Sequence, residues 1–149
     1  MHIEGTDKII TWKNGSDPDQ PWERVRVEPR GTLFQLVSGQ SFCHLLAIDC
    51  PALPGAFRGR HFHRRKLEEF FVVSGRLMFH WYDLETHTHG SFPVETGDRV
   101  RIFPLASHSF VAQERSILVE FCNTPYDEAD SIPSDPVALA EGREPFPVL

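Results

Sequence analysis

Apolar residues in this chain recur at every second position, in short runs closed off by Gly, Pro, Ser or Asp. Alternation of that period places successive side chains on opposite faces of an extended strand, whereas a helix needs a spacing near 3.6. The runs Glu68 to Val73 and Arg76 to Asp83 are separated only by Ser74-Gly75, a connection suited to a tight hairpin. Asp98 to Phe103 and Ser116 to Asn123 follow, with turn signals at Thr96-Gly97-Asp98 and Gln113-Glu114-Arg115. Further upstream, in Ser41 to Cys50, Phe42, Leu46 and Ile48 point one way while Leu45 and Ala47 point the other, which predicts a strand buried on much of both faces. Strands so closely spaced escape the hazard of open edges by closing into a sandwich or barrel, so the expected class is all-β. Helical pattern is confined to a turn or two over Asp135 to Glu141.

A chain of 149 residues has room for one substantial core. The expected organisation is a single domain: an N-terminal arm and first strands over 1–40, a barrel core over 41–124, and a tail over 125–149. From Thr124 onward come Pro125, Pro133, Pro136, Pro145 and Pro147 with six acidic residues, a composition expected to wrap the barrel irregularly or to pack on a partner subunit. A net charge of −6 argues against nonspecific binding to nucleic acid or an anionic membrane. With no long apolar run and no signal-like start, the expected location is cytoplasmic. Cys43, Cys50 and Cys122 form no CxxC pair and are read as small buried side chains rather than a disulfide framework.

The chemistry concentrates in one place. His61 and His63 are two apart, so on a strand both imidazoles face the same side within reach of one ion. If the chain bends at Arg64 to Leu67, the carboxylate of Glu68 closes on the same point, and His108 can reach it from a later strand after Pro104. Three imidazoles and a carboxylate suit one divalent ion of Zn, Ni, Fe or Mn and leave coordination positions open, as a catalytic site requires. Arg58, Arg60, Arg64, Arg65 and Lys66 crowd around these residues, either as a solvated basic loop or as an anion-recognition site.

The series Gly55-x5-His61-x-His63-x4-Glu68-x6-Gly75 resembles the first sequence motif of the cupins at each spacing. Gly97, Asp98, Pro104 and His108 resemble the second, although the interval from Pro to His is short and Ala112 stands where that family often has Asn. The resemblance spans Phe42 to Asn123. It implies a double-stranded antiparallel β-helix, the cupin jelly-roll barrel, with a metal on His61, His63, Glu68 and His108. Within the cupins, Arg58-Gly59-Arg60-His61-Phe62-His63, with Lys66, Glu68 and the strand ending in Ser74-Gly75, resembles the cupin domain of capsular polysaccharide assembly proteins. The dTDP-sugar 3,4-ketoisomerases have a similar segment but carry Gln where Glu68 stands and work without a metal. The dTDP-4-dehydrorhamnose 3,5-epimerases are more distant; their catalytic base falls on His61 and their tyrosine acid on Phe121.

The function implied is a sugar-nucleotide epimerase or isomerase of polysaccharide or deoxysugar biosynthesis, with His61, His63, His44 and His80 as candidate catalytic residues. An imidazole bound to a metal cannot also remove a proton, so His44, His80 or a metal-bound hydroxide would have to act as base. Arg58 and Lys66 are expected to bind the diphosphate. The rival readings are an Fe(II)-dependent cupin dioxygenase and a non-enzymatic ligand-binding cupin. His87 and His89 read as a solvated loop, Tyr82 and Tyr126 as core or interface residues, and Trp12, Trp22 and Trp81 as packing surface in preference to a platform for a base. The expected partners are a small molecule, a nucleotide sugar, and a second copy of the chain in a homodimer.

Overall fold

The computed structural model describes residues 1–143. Its strands run in chain order as β1 (Ile9–Lys13), β2 (Arg24–Glu28), β3 (Gly31–Gln35), β4 (His44–Cys50), β5 (Arg58–Phe62), β6 (Glu68–Ser74), β7 (Arg76–Asp83), β8 (His89–Glu95), β9 (Asp98–Ile102), β10 (Ala106–Ala112), β11 (Ser116–Cys122) and β12 (Ile132–Pro133). A 3₁₀ turn over Glu128–Asp130 precedes β12, and one short helix, α1 (Pro136–Ala140), follows it. Two antiparallel five-stranded sheets, ordered β1-β9-β6-β11-β4 and β12-β5-β10-β7-β8, lie face to face, and β2-β3 forms a separate hairpin. Phe70, Val72, Leu77, Phe79, Val100, Phe110 and Leu118 interleave between them in the main core. Among the described residues no helix is long and apolar enough to cross a membrane.

The sheet order corrects the expected hairpin at Ser74-Gly75. Strand β6 pairs with β9 and β11, and β7 with β8 and β10, so the chain changes sheets at Gly75. A jelly-roll corner of this kind needs the left-handed backbone of Gly75 (φ 93°), where a Cβ would lie 2.7 Å from the Arg115 carbonyl oxygen. The true local hairpin is β7-β8. Strand β8 escaped the pattern reading because Pro93 interrupts it, which an edge strand tolerates.

Strand β4 is also an edge strand, not one buried on both faces. Leu45 and Ala47 on its outer face are exposed, and Leu46, opposite Glu120 on the inner face, remains 42% exposed. The barrel is therefore open along β4. Cys43 is exposed, against expectation, while Cys50 and Cys122 are buried, and all three are free thiols. In the tail, the side chain of Asp135 accepts from the amides of Val137 and Ala138 and so starts α1. Pro145 and Pro147 lie outside the described residues.

Candidate functional site

Strand β5 carries His61 at its inner face and hands the chain to His63, and the loop Arg64 to Leu67 returns it into β6 at Glu68. His108 enters from β10, paired directly with His61. Ligating atoms of His61, His63 and Glu68 all lie within 4.8 Å of one another. His63 Nε2 is 3.1 Å from Glu68 Oε1, and His108 Nε2 is 3.0 Å from Glu68 Oε2. Both Nε2 atoms and Glu68 Oε2 are buried, and among the described residues they meet no other polar partner than one another.

The opposite nitrogens explain this. His63 Nδ1 is 2.8 Å from the Asp130 carbonyl oxygen and His108 Nδ1 is 3.0 Å from that of Ala106. A carbonyl only accepts, so each Nδ1 carries a proton, and Nε2 is the nitrogen turned toward Glu68. His61 Nδ1 lies 3.3 Å from the Ser131 hydroxyl. Burial, reinforced by His108, pushes the His61 imidazole down to about 3, so it is neutral at any ordinary pH. Burial works against the charge on Glu68, but His108 and His63 together hold its carboxyl well below the usual range. Burial also opposes protonation of His63, yet contact with Glu68 and the Asp130 carbonyl raises its pKa. Three imidazoles facing one buried carboxylate form a donor set of the kind that suits a divalent cation.

Next to this cluster lies a second buried group that the spacing of the motif did not reveal. Lys66, expected at the pocket mouth, is 8% exposed, with Nζ 2.6 Å from Glu120 and 3.3 Å from Glu68. Its ammonium is committed to two carboxylates and cannot reach out to a diphosphate. Glu120, on the inner face of β11, is raised by its burial and by the Glu68 carboxylate, against the pull of Lys66. His44 lies 3.9 Å from Glu120, stacks on Tyr126, and has a buried Nε2 without a partner. A charged residue flanked by apolar inward positions Leu118 and Cys122 was the available sign of Glu120.

The other candidates separate. His80 is excluded from the pocket because β7 turns Phe79 and Trp81 inward, leaving its ring on the outer face with Nδ1 2.6 Å from the Ser91 hydroxyl. Phe121 likewise faces outward, beneath the Arg99 guanidinium, so the position resembling a tyrosine acid does not see the cluster. The basic segment disperses. Arg60 covers Phe57 and pairs with Asp135, Arg65 pairs with Asp127, and Arg58 stands exposed at the barrel rim, donating to the Asp49 carbonyl. Arg58 lines a cavity of about 270 Å³ with Cys50, Phe57 and Phe110. Trp12 packs against Arg99 and Arg101 and donates to Glu23, Trp81 is in the core, and Tyr82 contacts the exposed His87 and His89.

Two facing antiparallel sheets and an inward cluster of histidines and a glutamate define a barrel of the cupin class. The chain belongs to the family described as the polysaccharide biosynthesis C-terminal domain, whose model matches residues 26–131. Solved structures agree on the fold. ChmJ, a 3'-monoepimerase from Streptomyces bikiniensis in complex with dTDP-quinovose, matches with a TM-score of 0.74 at 14% identity, over 99% of this chain and 83% of its own. The 3,4-ketoisomerase QdtA of Thermoanaerobacterium thermosaccharolyticum, in complex with TDP-4-keto-6-deoxyglucose, matches with a TM-score of 0.70 at 12% identity, over 92% and 94%. The RmlC epimerase of Mycobacterium tuberculosis matches with 0.67 at 15% identity, over 87% and 70%. A search of curated protein sequences finds no match.

Proposed function

We propose that this chain is a sugar-nucleotide epimerase or ketoisomerase that holds one divalent cation on His61, His63, Glu68 and His108. The observation that carries the reading is the convergence of three imidazoles, two of them held through Nδ1 by backbone carbonyls, on a buried carboxylate in a barrel open along β4. Its support is the company of the fold: ChmJ and QdtA are a monoepimerase and a ketoisomerase, held in their structures with TDP-linked sugars. A bound cation would supply Lewis acidity toward a keto oxygen beside the carbon that loses its proton. His61, His63, Glu68 and His108 would hold it, and the apolar walls Phe70, Phe79 and Phe110 would lower the dielectric around it.

The proton is assigned to His44. Its Nε2 is unpartnered, it lies toward the open side of the barrel, and it is not among the ligands, so its lone pair is free for transfer. Glu120 and Tyr126 hold the ring in place. Arg58, at the rim, is the remaining candidate for the diphosphate, because its guanidinium is anchored by one bond only. A second copy of the chain is proposed to cover the free edge of β4 and its exposed Leu45 and Phe42, forming a homodimer.

The test combines elemental analysis with deuterium uptake. Zinc, nickel or manganese near one per chain, with solvent deuterium entering a TDP-4-keto-sugar in wild type but not in His44→Asn, is the expected result. Iron accompanied by oxygen consumption would establish the dioxygenase instead, and a metal-free protein without exchange would end the reading.

A further inference from the structure

We propose that the C-terminal segment 127–134 is a positioning element of the histidine cluster, so that its docking and the affinity of the cluster for a divalent cation are thermodynamically linked. The inference rests on the metal reading above. It concerns residues that lie outside the motif carrying the ligands.

Of the three imidazoles, only His108 finds its Nδ1 acceptor on its own strand, at Ala106. The other two depend on the tail: Asp130 offers its carbonyl to His63 and Ser131 its hydroxyl to His61. Asp130 does more. Its carboxylate, in a residue 5% exposed, accepts the backbone amides of Arg64, Arg65 and Lys66 at 3.0, 3.3 and 3.1 Å. One side chain thus shapes the loop that sets the reach from His63 to Glu68. Immediately after it, Ile132 and Pro133 pair with Phe62 and His61 of β5. Ser134 then donates its amide to the Arg60 carbonyl at 2.9 Å and its hydroxyl to Ser107, the neighbour of His108, at 2.7 Å.

This docking is almost wholly polar and local, and the connection leading to it, residues 123–129, is exposed throughout. A segment held in this way opens at a cost below that of global unfolding. When it opens, His63 loses the carbonyl that keeps a proton on its Nδ1, His61 loses its hydroxyl partner, and the loop before Glu68 loses three amide anchors. A cation bound to the cluster therefore favours the docked tail, and by linkage the docked tail favours the cation by the same factor. Partners of this kind behind metal-bound histidines typically account for about 10–100-fold in affinity.

The experiment measures zinc affinity by competition with a chromophoric chelator, and amide exchange by mass spectrometry with and without zinc, on the full chain. Asp130→Ala is expected to weaken zinc by about tenfold or more, with partial recovery in Asp130→Asn. Ser131→Ala should weaken it less, with recovery in Ser131→Thr. In wild type, zinc should slow exchange across residues 126–134, and that protection should vanish in His63→Ala. If Asp130→Ala does not fold, the Ser131 pair and the exchange of wild type still decide. Unchanged zinc affinity in the foldable tail variants, or tail exchange indifferent to zinc, overturns the proposal while leaving the metal reading intact. Wild type that takes up no zinc overturns the metal reading and this inference with it.

Discussion

Lys66 sits between Glu120 and Glu68 with one positive charge for two carboxylates, and that arithmetic makes it a sensitive residue. Burial works against its charge, but the two carboxylates raise its pKa. Lys66→Ala leaves a buried, uncompensated pair of acids and is expected to cost about 3–5 kcal/mol in urea unfolding of the metal-free protein. Arg58→Ala, at an exposed rim position, should cost only about 1 kcal/mol of TDP affinity by calorimetry and leave metal content unchanged. The difference between these two basic residues was not legible in the sequence. Both lie in one Arg-rich run, and only the return of the loop into β6 turns Lys66 inward. His61, His63, Glu68 and His108 were legible because their spacing resembles the cupin motifs, and the structure brings them together from both sheets. Asp130, Ser131 and Glu120 were not, because what brings them to the cluster is the docking of the tail and the register of β11.

At the level of elements, the hairpin β2-β3 is fastened to the outer face of the first sheet by ions. Arg99, 1% exposed, places Nη1 2.6 Å from Glu23 and Nη2 2.5 Å from Glu69, with its guanidinium over the rings of Trp12 and Phe121. Val100 and Ile102 of β9 turn into the core, which puts Arg99 on the opposite face of the strand. A polar residue on the far side of a strand reads as solvated unless a distant segment covers it, and no local pattern records that cover. Arg99→Ala should cost about 3–5 kcal/mol and hasten amide exchange in β2 and β3 before it does so in β6. The edge of β4 makes a separate prediction: Leu45→Glu should convert a dimer to a monomer in sedimentation without lowering the metal content of the cluster.

For the molecule as a whole, Asp83 joins the N-terminal segment to the β7-β8 hairpin. It accepts from the Thr6 hydroxyl at 2.7 Å and from the amides of Glu85 and Thr86 at 2.9 and 3.2 Å. Burial opposes its ionisation, but those three donors and the Lys8 charge hold its carboxyl below the usual carboxylate range. A depressed folded pKa contributes stability that is complete above the unfolded value near 3.9 and is lost as pH falls through the folded one. Thermal stability should therefore fall on acidification below about pH 4 in wild type, and less steeply in Asp83→Asn.

The order of the strands also dictates how the chain must find its fold. Among the described residues only β7-β8 and β2-β3 close locally; Thr11 must meet Val100, His61 must meet His108, and Phe62 must meet Ile132. Barrels built from such distant encounters fold over milliseconds to seconds, because chain entropy is lost before the contacts reward it. Two of the histidines' partners arrive on the last described stretch of chain. The cluster is therefore incomplete until the tail has docked, and a newly made chain would reach its competent form only after the ladder around it had closed.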